Sequence, residues 1–136
     1  MDDAIATYRE AFEANEIDRL LGVLTPDAEV VSPISGRMVF RGTKDLRVLL
    51  GAVYSTTRGL RWTEEVGEGA ARVLIGEFKV GPLRMTDAMA FDLALDGRIR
   101  RIRPHLRPYL GTTLFAMSLG LKVGIHPGVI FRALRG

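Results

Sequence analysis

The fold is decided by residues 60–107, which read LRWTEEVGEGAARVLIGEFKVGPLRMTDAMAFDLALDGRIRRIRPHLR. In this stretch apolar and polar residues alternate with a period of two, as is typical of strands that bury one face. Three turn signals divide it, at 67–69, 81–82 and 96–97, and the last, Asp96-Gly97, is a strong hairpin sequence. The stretch therefore predicts a meander of antiparallel strands at residues 60–66, 70–80, 83–95 and 98–107.

The residues before Leu60 have the period of helices instead. Apolar residues spaced three and four apart predict a first helix over residues 4–14 and a second, short helix from Ile17 to Leu24. We expect a turn at 25–27, because Thr25-Pro26-Asp27 is rich in turn-forming residues. A short strand is expected at 29–32, followed by a third helix that Thr43 caps.

The order of these elements defines the expected fold class. Helices followed by a run of long strands are typical of an α+β domain and not of a parallel α/β sheet. A chain of 136 residues is the size of one domain. We therefore expect a curved antiparallel sheet packed against three N-terminal helices, with the domain core at 1–110. An extra C-terminal helix, near 110–119, would belong to an extension of the same domain at 111–136.

Composition excludes several classes of function. The chain has no cysteine, so disulfides and thiolate chemistry are absent. Its acidic beginning, Met1-Asp2-Asp3, does not resemble a secretory signal, and the longest uncharged stretch, 108–121, is shorter than the ~18 apolar residues of a membrane span. The sequence therefore predicts a soluble, cytoplasmic protein.

Metal, cofactor and nucleic-acid sites are not indicated. His105 and His126 lack the spacing of metal ligands, and no glycine-rich stretch has a phosphate-loop or dinucleotide pattern, so we expect neither a metal nor a cofactor. Five arginines lie within 98–107, but strand alternation divides them between two faces. This arrangement does not favour nucleic acid as a partner.

Asp87 interrupts the apolar face of the third long strand. Its neighbours on that face, from Leu83 to Leu95 in steps of two, are all apolar. A buried carboxylate among them must be paired, protonated or solvated by a cavity. Two interpretations stay open: either Asp87 faces a cavity, or residues 84–88 form a bend that leaves it in water.

Four segments of the chain carry a resemblance to a known family: 8–18, 24–33, Phe40-Arg41-Gly42-Thr43 and Asp96-Gly97-Arg98-Ile99. The first two resemble the opening of ketosteroid isomerases. The other two resemble motifs of the nuclear-transport-factor-2-like superfamily, which includes ketosteroid isomerases and polyketide cyclases. The resemblance covers about residues 4–110. It implies a cone-shaped sheet that encloses an apolar pocket.

The resemblance implies only part of the isomerase chemistry. Tyr8 falls where those enzymes place the tyrosine that donates a hydrogen bond to the enolate oxygen. Ser32 falls at the aspartate that moves the proton, and a serine hydroxyl is too weak a base for that role. The second oxyanion-hole group falls on Met89, while Asp87 lies two residues earlier on the same face. This set does not predict a ketosteroid isomerase in the strict sense.

We expect a pocket for a small apolar ligand, with isomerisation or cyclisation of a carbonyl compound as its reaction. The alternative is a binding protein without catalysis, and Tyr8 could equally be a tyrosine of the core. Tyr8 and Asp87 are the candidate catalytic residues. The candidate substrate-binding residues are Ser32, Trp62, Phe78, Met89, Phe91, Ile102 and Leu106.

Two surfaces are expected to find partners. The outer sheet face, with Ile99, His105, Glu77, Lys79 and neighbouring arginines, predicts a homodimer. The apolar residues of 110–121 should cover the sheet, the pocket mouth or a partner, and adsorption to a membrane surface is the competing interpretation.

Overall fold

The computed structural model describes residues 3–35 and 37–135, in which five helices accompany one seven-stranded sheet. The helices are α1 Ala4–Glu13, α2 Ile17–Gly22, α3 Thr43–Thr56, α4 Tyr109–Gly124 and α5 Pro127–Arg135. The strands are β1 Leu24–Val31, β2 Val39–Arg41, β3 Arg58–Val66, β4 Ala71–Val80, β5 Leu83–Leu93, β6 Ile99–Arg103 and β7 Leu106–Arg107.

The sheet is curved and open, with the order β2-β1-β6-β5-β4-β3, and β7 pairs with β5 beyond the end of β6. Its neighbouring strands are antiparallel except β1 and β6, which are parallel because the chain crosses from one to the other through α3 and the meander. The predicted α+β class, with three N-terminal helices against a curved sheet, is confirmed.

The core lies between the inner sheet face and the helices. Tyr8 and Ile5 of α1 are fully buried, as are Leu74 of β4 and Ile99 of β6. The ring of Tyr8 stacks on Phe12 at 6.1 Å between centroids. Burying such large side chains supplies much of the hydrophobic stabilisation of a small domain.

The expected turn at 25–27 is wrong, because these residues belong to strand β1. Pro26 is tolerated there since the register between β1 and β6 shifts between Leu24 and Glu29, leaving Pro26 without a partner that would need its N–H. Thr43 is likewise not the cap of α3. Gly42 holds that position at a φ of 85°, a backbone conformation that favours glycine over threonine.

The predicted strand 98–107 is divided in two. Pro104 separates β6 from β7, and a bulge shifts the register so that Asp92 pairs with Arg101 while Leu93 pairs with Ile99. Because Arg100 is the extra residue, Ile99 turns inward and is fully buried. Its placement on the outer face was therefore wrong. The homodimer through that face stays a prediction.

The C-terminal region contains two helices where the sequence predicted one. Helix α4 is longer than expected, and α5 lies in residues that the sequence left unassigned. Arg132 of α5 donates two hydrogen bonds of 2.8 Å to the buried carboxylate of Asp45, in the first turn of α3. These bonds hold the pKa of Asp45 below its usual range. The pair therefore fastens α5 to the N-terminal layer.

We expect Arg132→Ala to lower the thermal midpoint by several degrees, because Asp45 is then left buried without its partner. Since the folded-state pKa of Asp45 is lowered, this contribution is present above about pH 4 and is lost as the pH falls. Thermal unfolding followed by circular dichroism at pH 7 and at low pH measures both effects. The matched control is Arg135→Ala on the same helix; an equal loss in both variants would contradict this role.

Candidate ligand-binding cavity

A cavity of about 220 Å³ lies between the inner face of the sheet and the helices α1, α3, α4 and α5. Apolar side chains make up most of its wall. The polar side chains in the wall, within the described part of the chain, are Tyr8, Ser32, Thr57, Trp62 and Asp87. An apolar cavity with a few polar groups is the usual form of a small-ligand site. A cavity of about 150 Å³ already suffices for benzene, so this one has room for a molecule of one or two rings.

One row of residues across the sheet positions the polar groups. Trp62 of β3 pairs with Gly76 of β4, Gly76 pairs with Asp87 of β5, and Asp87 pairs with Leu106 of β7. Side chains in register across neighbouring strands share one face. Gly76 has no side chain, and the indole of Trp62 occupies the space above it. The row thus places Trp62 and Asp87 on the inner face, separated by a glycine.

Asp87 faces the cavity, so the alternative of a wet bend is wrong. Residues 83–93 form one uninterrupted strand, and Asp87 is half-buried in the cavity wall. Burial raises the pKa of its carboxyl to about 7, although Oδ1 accepts a hydrogen bond of 3.2 Å from the backbone N–H of His105, which acts in the opposite direction. The carboxyl can therefore gain or lose a proton near neutral pH.

Tyr8 and Trp62 bring two donors without acceptors to the same cavity. The Tyr8 hydroxyl and the Trp62 indole N–H are buried, and neither has a hydrogen-bond partner within residues 3–35 and 37–135. The pKa of Tyr8 is raised, first by burial and then by the nearby charge of Asp87, so the hydroxyl keeps its proton. An unsatisfied buried donor costs about 1–3 kcal/mol. A ligand oxygen in the cavity would offset that cost.

The remaining predicted site residues divide into three groups. Phe78, Met89, Ile102 and Leu106 contribute to the apolar wall. Ser32 also lines the cavity, but its hydroxyl accepts hydrogen bonds from the backbone N–H groups of Ile34 and Ser35 at 3.1 and 3.2 Å. Ser32 therefore stabilises a local turn and has no basic character.

Phe91 is not among the residues that line the cavity, and its predicted place in the wall is wrong. Its ring is buried and packs edge-on against Tyr8, at 5.1 Å between centroids. Phe91 therefore contacts a ring of the cavity wall, that of Tyr8, without lining the cavity itself. Phe91 supports the position of the tyrosine ring.

Helices supply a part of the wall that the sequence analysis missed. Leu49, Leu50 and Val53 of α3 line the cavity, as do Leu119 and Val123 of α4. The helical spacing in α3 was a usable signal, because its three residues lie on one stripe. Helix α4 is apolar on nearly every face, so its sequence does not reveal which side turns inward.

The molecule is an α+β protein in which helices pack over the inner face of an open, curved sheet, and an apolar cavity lies between the two layers. An uncharacterised protein with a cystatin-like fold from Silicibacter pomeroyi DSS-3 matches at a TM-score of 0.89 and 21% identity, over 98% of this chain and 95% of that one. A steroid delta-isomerase from Pseudomonas aeruginosa matches at 0.82 and 20%, over 94% and 96%.

A third solved structure, provisionally called a polyketide cyclase, is from Sinorhizobium meliloti; it matches at a TM-score of 0.66 and 20% identity, over 77% of this chain and 95% of that one. The chain therefore has the fold of the nuclear-transport-factor-2-like superfamily, as the sequence resemblance indicated. Its sequence matches no protein-family model and no curated protein. At these identities the likeness concerns the fold alone, because this kind of fold hosts many functions.

We expect Gly76→Ala to displace the Trp62 ring, because the added Cβ would lie 2.9 Å from Trp62 Cε3. Trp62 is the one tryptophan of the chain, so its fluorescence emission reports this wall directly. The emission maximum should shift in Gly76→Ala. It should not shift in Gly51→Ala, where the added Cβ meets nothing within 4 Å. An unchanged spectrum in both variants would show that the glycine is not needed for the ring.

We expect Asp87→Asn to stabilise the protein at pH 8. An unfolded aspartate ionises near pH 4, whereas burial keeps the folded carboxyl protonated to about pH 7. The wild-type chain therefore loses stability as the pH rises from about 4 to 7, and the amide removes this loss. Urea unfolding should show a higher midpoint than wild type at pH 8 and little difference at pH 4. Asp92→Asn, on the outer face of the same strand, is the control, and an equal gain there would contradict the account.

Proposed function

We propose that this protein binds a small apolar carbonyl compound in the cavity and catalyses its isomerisation or cyclisation through an enolate. The observation that carries the proposal is the set of polar groups in the apolar wall. It contains one carboxyl that titrates near neutral pH and two buried donors without acceptors. Such a set matches a substrate that has one oxygen and one acidic C–H bond.

The first step would be removal of a proton by Asp87. Its carboxylate takes a proton from the carbon next to the carbonyl, and the electron pair of the broken C–H bond moves to the carbonyl oxygen. Tyr8 and Trp62 donate hydrogen bonds to that oxygen as it becomes negative. A base with a pKa near the working pH is the most effective kind, and the raised pKa of Asp87 meets this condition.

The second step returns the proton without any other reactant. In an isomerisation, Asp87 delivers the proton to a different carbon of the conjugated enolate. In a cyclisation, the enolate carbon attacks a second carbonyl group of the same molecule, and Asp87 protonates the alkoxide that forms. Both routes conserve every atom and need neither a metal nor a cofactor.

Two further observations support this class of reaction. The steroid delta-isomerase and the protein provisionally called a polyketide cyclase share the fold. The raised pKa of Tyr8 keeps its hydroxyl protonated, so that it remains a donor. Ser32 stands where the ketosteroid isomerases have the aspartate that moves the proton, but its hydroxyl accepts hydrogen bonds within a turn and does not act as a base. Asp87 would therefore be both the acceptor and the source of the proton.

A panel of one- and two-ring β,γ-unsaturated ketones tests the proposal, because their conjugated products absorb in the ultraviolet. We expect turnover that rises with pH through about 7, as Asp87 ionises. Asp87→Asn should lower kcat by about 10²–10⁴-fold and Tyr8→Phe by about 10²-fold, with affinity for an unreactive ketone retained. Asp92→Asn is the matched control on the same strand and should stay active.

The second candidate is a binding protein that uses the same cavity without chemistry. The observation in its favour is Ser32. By resemblance this residue stands where the ketosteroid isomerases have their base, and its hydroxyl is engaged in a turn. In that case the ketones would quench Trp62 fluorescence and none would be converted. Equal turnover by wild type and Asp87→Asn would instead contradict the role given to the carboxyl.

A further inference from the structure

Helix α4 leaves an apolar stripe in water. Leu110, Met117 and Leu121 recur at spacings of seven and four and are exposed, with Leu121 at 78% and Met117 at 64%. The exposed residue between Leu110 and Met117 on this side is Thr113. These residues share one side of the helix over about 16 Å. Ile125 at the end of α4 and Phe131 of α5 add further exposed apolar surface. A continuous apolar patch of this kind normally has an occupant.

The opposite side of α4 is already occupied. Leu119 and Val123 line the cavity, and Phe115 packs against Phe78 at 6.4 Å between ring centroids. The helix carries one charged residue, Lys122. A helix that is apolar on nearly all sides is expected to be covered on nearly all sides. The exposed stripe therefore needs a partner other than the core of its own chain.

Charge identifies the kind of partner. After Asp96 the chain has no acidic residue, but it has eight arginines and lysines among its last 40 residues. Within the described residues, Arg107 and Arg135 have no ion-pair partner; Arg107 lies just before α4, and Arg135 is the last residue of α5. Lys122 of α4 turns instead to α3, where its Nζ donates hydrogen bonds to the hydroxyls of Ser55 and Thr56 at 3.0 and 2.9 Å. Positive charge without an acidic partner therefore lies at the start of α4 and at the end of α5.

We infer that α4 and α5 form a surface that docks on an anionic lipid bilayer. The apolar stripe enters the interface, while Arg107 and Arg135 face the lipid phosphates. A second copy of this chain is a poorer occupant, because stacking two α4 stripes would bring the same unpaired cations together with no acid to neutralise them. No single helix in the described residues is long and apolar enough to span a membrane, and α4 and α5 meet that test only as a pair bent by 114°.

Docking would place the cavity one helix away from the lipid, because α4 has the stripe on one side and cavity-lining residues on the other. An apolar ligand that dissolves in the bilayer would then be close to the site. The docking surface stands on its own residues and does not depend on the reaction proposed above.

Flotation of the full chain with vesicles tests the inference. We expect binding to vesicles of equal parts phosphatidylglycerol and phosphatidylcholine, weakening as salt rises, and little binding to phosphatidylcholine alone. Met117→Glu/Leu121→Glu should weaken binding at least about tenfold, because two apolar contacts are replaced by charges. Arg135→Gln should weaken it less. The matched control is Leu95→Glu, which changes an exposed leucine in the β5–β6 turn and should bind as wild type does.

Several outcomes would overturn the inference. These are the absence of binding to anionic vesicles, equal binding to neutral vesicles, and full binding by the Met117→Glu/Leu121→Glu variant with an unchanged thermal midpoint. A dimer in sedimentation that this variant dissociates, with no vesicle binding by wild type, would assign the stripe to a second copy instead.

Discussion

The cavity is defined by one costly placement, a carboxyl group on the apolar inner face of the sheet. Asp87 can remain there because its Oδ1 accepts a backbone hydrogen bond from His105 and because burial shifts its pKa to about 7, which removes the charge at lower pH. The cavity lies beside this carboxyl, and the residues that pair with Asp87 in the neighbouring strands shape that part of the wall. Gly76 gives room to the Trp62 ring, and Leu106 of the short strand β7 covers the other side.

The aromatic cluster gives this site its rigidity. Tyr8 packs between Phe12 and Phe91, and Phe12 contacts Trp62 edge-on at 6.5 Å between centroids. Rings held on several sides lose little further freedom when a ligand arrives, so the donors are already oriented. The same packing leaves the Tyr8 and Trp62 donors without acceptors in the described residues. These two unsatisfied donors lower the stability of the fold, and a polar ligand atom that accepted their hydrogen bonds would restore it.

Much of this site could be predicted, because the period of two in β5 is unbroken and places Asp87 on the inner face. The same alternation gave the wrong face for Ile99 of β6. The bulge at Arg100 arises from the pairing of β6 with β5, and nothing in the sequence around Arg100 indicates it. Phe91 was wrongly predicted to line the cavity, because alternation along a strand shows which side chains share the inner face but not which of them other side chains cover. In the structure the ring of Tyr8 packs against Phe91. The Asp45–Arg132 pair was also missed, because its residues lie 87 positions apart and neither has an unusual local sequence.

Asp87 is expected to ionise near neutral pH inside the cavity, and nuclear magnetic resonance of the ¹³Cγ of labelled aspartates measures this ionisation directly. We expect one carboxyl carbon with a midpoint at about pH 7, and this signal should be missing from the spectrum of Asp87→Asn. The other aspartates serve as internal references in the same sample. If every aspartate, including Asp87, titrates below about pH 5, the carboxyl is solvated like an ordinary surface group and cannot act as a base near neutral pH.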